Sequence, residues 1–189
     1  MKKIALFASG SGTNVENIHR YFKDKDQLII DSIWTNKPDA GVVNRMADHG
    51  YTVHIFEADA MRSGDLLKKL LLRGIDGLVL AGFLLQIPPS FIQAFPQNII
   101  NIHPALLPKY GGKGMFGMHV HQAVCDNQEK ETGITIHFVN EEYDAGAIIF
   151  QTKVSLQSID TPRTIAQKVQ ALEYAHFPRI IGQIFCKGG

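Results

Sequence analysis

Cysteine is scarce: Cys125 and Cys186 are the only two in 189 residues, far apart and without metal-site spacing. That excludes a disulfide scaffold. The pair reads as free thiols in a reducing compartment, which places the chain in the cytoplasm. Long apolar runs are missing as well. Nothing approaches the roughly 20 residues that a membrane span needs. Met1–Ala8 has the outline of a short signal peptide, but its apolar run stops at Ser9-Gly10-Ser11-Gly12, which argues against one. Charge of one sign is absent too: 19 lysines and arginines face 18 acids, a net +1. That leaves no electrostatic footprint for nucleic acid and no block of like charge. No repeat, low-complexity segment or linker interrupts the chain, so its length suits one domain over residues 1–189. A content of 45% apolar and 20% charged residues is ordinary for a folded globular protein.

What is present is an alternation of strand and helix. Strands are expected at 3–8, 28–34, 51–56, 77–81 and 98–103. Helices are expected at 13–22, with Thr13 or Asn14 as cap, at 40–49 ending before Gly50, and at 66–72 ending before Gly74. The continuous apolar run Gly77–Ala81 reads as a central parallel strand buried on both faces. The expected fold class is therefore α/β: a Rossmann-like, mostly parallel twisted sheet flanked by helices. The second half differs. Gly133–Val139 and, more loosely, Ala147–Val154 alternate with period 2 across a short link, as an antiparallel pair added to the sheet edge would. Thr161 caps a long last helix with Pro162 in its first turn, and Pro178 is expected to kink or split it.

Three places carry chemistry. Asn101 and His103 stand two apart at the end of a strand, so both side chains leave the same face, and Pro104 ends the pairing. A rigid amide beside an imidazole is equipment for stabilising an oxyanion while moving a proton. The bland alternative is a turn cap. The strand-to-helix loop Ser9–Asn14 lacks the lysine of a nucleotide P-loop and the third glycine of the dinucleotide fingerprint. It therefore reads as a seat for one phosphate or as a tight structural turn. Asp144 lies in an acidic turn between the two late strands. If that loop folds back toward His103, its carboxylate would orient the imidazole and favour the protonated form. His137 shares a strand face with Thr135 and Val139, either lining the same pocket or sitting half-buried and satisfied. His119 and His121 lack a third ligand. They open the expected helix 119–125, where positions i and i+2 do not face each other, so no metal is expected.

Ala8–Asn14, Leu80–Phe83, Asn101–Pro108, Gly117–His121, Gly133–Val139 and Asp144–Gly146, in this order, resemble the phosphoribosylglycinamide formyltransferases from residue 3 to about residue 180. The Asn-Ile-His-Pro segment is shared across folate formyltransferases, whereas the Ser-Gly-x-Gly-Thr-Asn loop is more specific to this branch. The resemblance implies formyl transfer from 10-formyltetrahydrofolate, as cosubstrate, to the amine of 5-phosphoribosylglycinamide in de novo purine synthesis. The transfer would run by direct amine attack through a tetrahedral intermediate, without metal or covalent nucleophile.

By the same resemblance, Asn101 donates to the oxyanion and His103 stabilises it and relays protons. Asp144 orients His103 and shuttles the proton. Thr135 and His137 support them. Gly12, Thr13 and Asn14 would hold the substrate phosphate, and Glu173 the ribose hydroxyls. Phe83, Leu84, Leu85 and Ile87 would wall the folate pocket, with the backbone of residues 139–144, Val139 and Asn140 among them, reading the pteridine edge. Plain core packing is the alternative for the apolar members. Partners would be these small molecules, not nucleic acid or membrane, and the protein a monomer or homodimer. Two departures stand out: Leu85 replaces a residue that is basic in many relatives, and the glycine-rich loop Gly111–Gly117 is longer. That loop reads as a mobile lid. A formyltransferase acting on initiator tRNA should add a basic domain, and a formyl-folate hydrolase an N-terminal regulatory one. A phosphosugar-binding module would leave Asn101, His103 and Asp144 unexplained.

Overall fold

The computed structural model describes residues 1–186. Five parallel strands form in chain order: β1 (Lys2–Phe7), β2 (Leu28–Thr35), β3 (Val53–Ile55), β4 (Gly77–Leu80) and β5 (Ile99–His103). β6 (Glu131–Phe138) then runs antiparallel to β5, and β7 (Ile148–Ser155) antiparallel to β6. The sheet order is β3-β2-β1-β4-β5-β6-β7. The helices are α1 (Thr13–Phe22), α2 (Gly41–Ala47), α3 (Ala58–Arg62), α4 (Asp65–Leu72), α5 (Pro89–Ala94), α6 (Met118–Asp126) and α7 (Pro162–Phe185). None is long and apolar enough to cross a membrane among the described residues.

Strand periodicity divides the core. On β1, Ile4 and Leu6 enter one apolar cluster with α1, α6 and α7, while Ala5 and Phe7 enter another under α4 and α5. Both faces are buried, which is why the central strands read as unbroken apolar runs. Phe7 is wholly buried and stands edge-on to Phe83, ring centres 5.3 Å apart.

The chain reverses its winding between β1 and β4, and such a switch point opens a crevice at the carboxyl ends of the two strands. Ser9 joins the two loops there. Its N–H donates to Gly82 O at 2.9 Å, and its Oγ accepts from Leu84 N at 3.1 Å. This tie aligns the loop after β1 with the loop carrying Phe83 and Leu84.

Several expectations need correction. The cap of α1 is Gly12 in the left-handed region (φ 75°), with no side-chain cap bond. Neither Thr13 nor Asn14 caps, because the sharp turn needs a residue without a Cβ. α2 is shorter than 40–49, and β3 shorter than 51–56. α3 and α5 appear where no element was expected, both too short to show a helical period. Pro178 does not split α7, which runs unbroken through it. Proline leaves the carbonyl four residues back without its helical donor, and Asn17 Nδ2 donates to that carbonyl, on Tyr174, at 3.1 Å.

Gly133 stands on β6 opposite Lys153. A Cβ there would overlap the Thr152 carbonyl oxygen and crowd Leu106, in the loop after His103. Gly133→Ala should therefore cost about 1–3 kcal/mol through overpacking against rigid backbone. Urea unfolding of the two proteins measures this, and an unchanged midpoint would show that β7 yields freely.

Candidate active site

β5 delivers Asn101 and His103 to one face, alternating with Ile100 and Ile102, which pack into the other core. The antiparallel neighbour β6 sets His137 opposite Asn101 and Thr135 opposite His103. The loop between β6 and β7 folds back and lays Asp144 over all of them. Asp144 Oδ2 lies 3.4 Å from His103 Nδ1 and accepts from Gly112 N at 3.0 Å. Its Oδ1 lies 3.4 Å from Asn101 Nδ2 and 3.6 Å from His137 Nε2. The fold-back that the sequence left conditional is thus present.

His103 is 3% exposed. Its Nε2 stands 2.7 Å from the Tyr110 carbonyl, so that nitrogen carries a hydrogen and donates. Both ring nitrogens therefore face acceptors. Burial pulls the His103 pKa below its ordinary value; Asp144 and the Tyr110 carbonyl oppose this, and His137 reinforces it. The expectation that Asp144 favours the protonated ring is right in sign, but desolvation outweighs it. Asp144 itself is held below its ordinary range. Burial raises it, but the His137 ring, the charge of His103 and the Gly112 N–H together prevail.

The two residues presenting acceptors to His103 share an uncommon backbone. Tyr110 (φ 58°) and Asp144 (φ 54°) are both left-handed without being glycine. Aspartate tolerates this region better than tyrosine does. Tyr110 is secured by its hydroxyl, which donates to Glu129 Oε1 at 2.8 Å. That bond and burial raise the phenol to about 12.

His137 Nδ1 lies 2.8 Å from Phe138 O and donates to it, leaving Nε2 to accept from Asn101 Nδ2 at 3.1 Å. Thr135 lies beneath the site and lines neither cavity around it. Its Oγ1 donates to Ala105 O and accepts from Leu107 N and Gln151 Nε2, pinning the turn after His103.

A cleft of about 670 Å³ runs past these groups. Gly10–Asn14 form one end, where the uncapped N-terminus of α1 presents free N–H groups. A Cβ on Gly12 would strike Val42, while Val42 N donates to Gly10 O and Arg45 Nε to Ser11 O, so α2 backs this loop tightly. Glu173, on α7, lines the same end and accepts from Asn14 Nδ2 at 2.9 Å. Burial drives the Glu173 carboxyl up to about 7 against the pull of Asn14. Asn14 Oδ1 is buried without a partner.

On the far side of Phe83 lies a smaller cavity of about 60 Å³, walled by Leu80, Phe83, Leu85, Ile87, Val139 and Asn140 among others. Asn101, His137, Tyr143 and Asp144 border it too. Leu84 instead lines the main cleft. All the expected folate-side residues thus surround the cluster of Asn101, His103 and Asp144. The Tyr110 carbonyl and the Gly112 N–H were missed, because backbone groups leave no signature in residue type. His121 was weighed only as a metal ligand. It is buried beside the cleft with Nδ1 unpartnered, and burial together with His103 lowers its pKa. Among the described residues no cluster of three metal-ligating side chains occurs.

The formyl transferase family profile matches residues 2–181. The chain is 39% identical, over 97% of its length, to the chloroplastic phosphoribosylglycinamide formyltransferase of Arabidopsis thaliana, and it spans 65% of that relative. It is 33% identical, over 94% of its length, to the phosphoribosylglycinamide formyltransferase of Escherichia coli, spanning 84% of that one. The crystal structure of phosphoribosylglycinamide formyltransferase from Bacillus halodurans superposes with a TM-score of 0.87 at 34% identity, covering 98% of this chain and 96% of the other. With the matching profile spanning nearly its whole length, the chain belongs to the formyl transferase family.

Proposed function

We propose that residues 1–189 act as a single domain that transfers a formyl group from 10-formyltetrahydrofolate to the amine of 5-phosphoribosylglycinamide, a step of de novo purine synthesis. The observation that carries this reading is the convergence of Asn101, His103, His137 and Asp144 between an N–H-rich loop and an apolar cavity. In this reading the phosphosugar lies at the first, and the second, about 60 Å³ as it stands, opens further to receive the pteridine. The protein works in the cytoplasm, as a monomer or homodimer.

In this reading the amine attacks the formyl carbon directly, and Asn101 donates to the oxygen as it gains charge. An amide has two N–H bonds. His137 takes one at 3.1 Å, and the other, only weakly held by Asp144 at 3.4 Å, is the one the oxyanion takes over. His103, between two acceptors, supplies positive charge to the oxyanion when protonated. Asp144 orients it and passes the amine proton toward the leaving folate nitrogen. The cluster is fixed before substrate arrives, so little reorganisation accompanies the developing charge. Gly12, Thr13 and Asn14 hold the phosphate, and Glu173 the ribose hydroxyls. Phe83, Leu84, Leu85, Ile87, Val139 and Asn140 receive the folate, with Thr135 and His137 supporting the catalytic strand.

A coupled spectroscopic assay tests the reading. Deformylation of the folate should require phosphoribosylglycinamide; deformylation without it would make the protein a hydrolase. Asn101→Ala and His103→Ala should each fold normally and lose at least about 10²-fold in kcat, the usual cost of removing one such group. Near-normal turnover in either would remove the role given to that residue.

Glu173 generates a pH prediction. Its folded pKa of about 7 lies above its ordinary 4.5. Its contribution to the stability of the free protein is therefore full below about 4.5 and is lost as pH rises through about 7. Binding runs the other way, because only the carboxylate accepts from both ribose hydroxyls. kcat/KM for the phosphorylated substrate should fall as pH drops through about 7, and Glu173→Gln should lack that limb. An identical pH profile in the variant would contradict the assignment.

A further inference from the structure

Lys113 is the one lysine or arginine among the residues lining the main cleft. The cleft's other ionisable groups are poorly suited to a dianion. Asp144 and Glu173 are acids, and burial lowers the pKa of both His103 and His121. The loop Gly10–Asn14 supplies N–H groups but no cation. The nearest guanidinium behind that loop, on Arg45, is already engaged: its Nε donates to Ser11 O at 2.8 Å and its Nη1 to Glu16 Oε2 at 2.7 Å. Lys113, by contrast, is exposed, and its ammonium has no hydrogen bond or ion pair among the described residues.

The backbone around Lys113 combines two unhindered glycines with a fixed base. Gly112 (φ 94°) and Gly114 (φ 90°) flank it, both in the left-handed region. The base is held where Gly112 N donates to Asp144 Oδ2 and Gly112 O accepts from Met115 N at 3.1 Å. A lysine between two such glycines, hinged from the central carboxylate, can sweep the cleft mouth without disturbing the sheet.

We propose that Lys113 is the cation that closes on the phosphate group of the phosphorylated substrate, and that it makes the loop Gly111–Gly117 select for phosphorylated over unphosphorylated acceptors. This rests on the formyl-transfer reading given above for the identity of the phosphate. The phosphate is favoured over a folate carboxylate as the anion for a geometric reason. Lys113 shares the main cleft with Gly10–Asn14 and does not border the cavity behind Phe83.

The test compares the wild type with Lys113→Met and Lys113→Arg. KM for phosphoribosylglycinamide should rise about tenfold or more in Lys113→Met, the scale of one lost charge-assisted bond. Lys113→Arg should recover most of it. KM for the formyl folate should change less than twofold. A rise confined to the folate would move Lys113 to a carboxylate, and no rise in either would remove it from binding; both outcomes overturn the proposal. Calorimetric titration with inorganic phosphate separates this from the activity reading. Should the wild type transfer no formyl group, phosphate binding weakened about tenfold in Lys113→Met still supports the clamp, and equal binding overturns it.

Discussion

One carboxylate organises this molecule's chemistry. Asp144 reaches groups on three separate segments: Asn101 and His103 from β5, His137 from β6, and the Gly112 N–H from the glycine-rich loop. A partly buried aspartate is costly unless it is satisfied, and here Asn101, His103 and the Gly112 N–H, which satisfy it, all line the cleft. Its left-handed backbone is the conformational cost of turning the loop back at that point. Tyr110 carries a matching cost on the opposite side of His103, where its carbonyl fixes the ring and its hydroxyl is secured by Glu129. The imidazole is thus gripped from both ends by residues that the surrounding structure holds in unfavourable backbone states.

The sheet makes this arrangement possible. Parallel strands β1, β4 and β5 end at one edge, so the loop Gly10–Asn14, Phe83 and the Asn-x-His pair all emerge together. The antiparallel β6 is the departure that matters. Its direction sets His137 and Thr135 against Asn101 and His103, and because it leaves beside Ile99 its exit loop has to fold back to bring Asp144 to these groups. Thr135 then pins the turn at Ala105–Leu107 from below, so the floor of the site is braced by hydrogen bonds and its walls by apolar packing.

Much of this was legible in the residues. The pairing of Asn101 with His103 follows from period 2 alone, and the mostly parallel α/β class follows from the alternation of strand and helix. The contact of Asp144 with His103 was legible only as a condition, because some forty residues separate them and no local pattern reports a loop's return. Gly12 was passed over as the cap because side-chain caps are what residue type advertises, whereas here the turn required a left-handed φ. α3 and α5 span five and six residues, too few for periodicity to declare itself. That α7 would run unsplit through Pro178 was not legible, because the donor to the Tyr174 carbonyl is Asn17, more than 150 residues away. The pull of Asp144 on the His103 ring was legible in direction, but not the burial that outweighs it, because burial depth is a tertiary quantity.

The central claim is that Asp144 acts through His103. A double-mutant cycle on kcat tests it most directly, with Asp144→Asn, His103→Ala and the two combined. If Asp144 works by orienting and charging the imidazole, the double variant should be no more than about threefold slower than the worse single variant, since groups acting as one unit lose their effect once. Losses that multiply, so that the double variant falls by the product of the two singles, would show the carboxylate acting independently and would contradict the account.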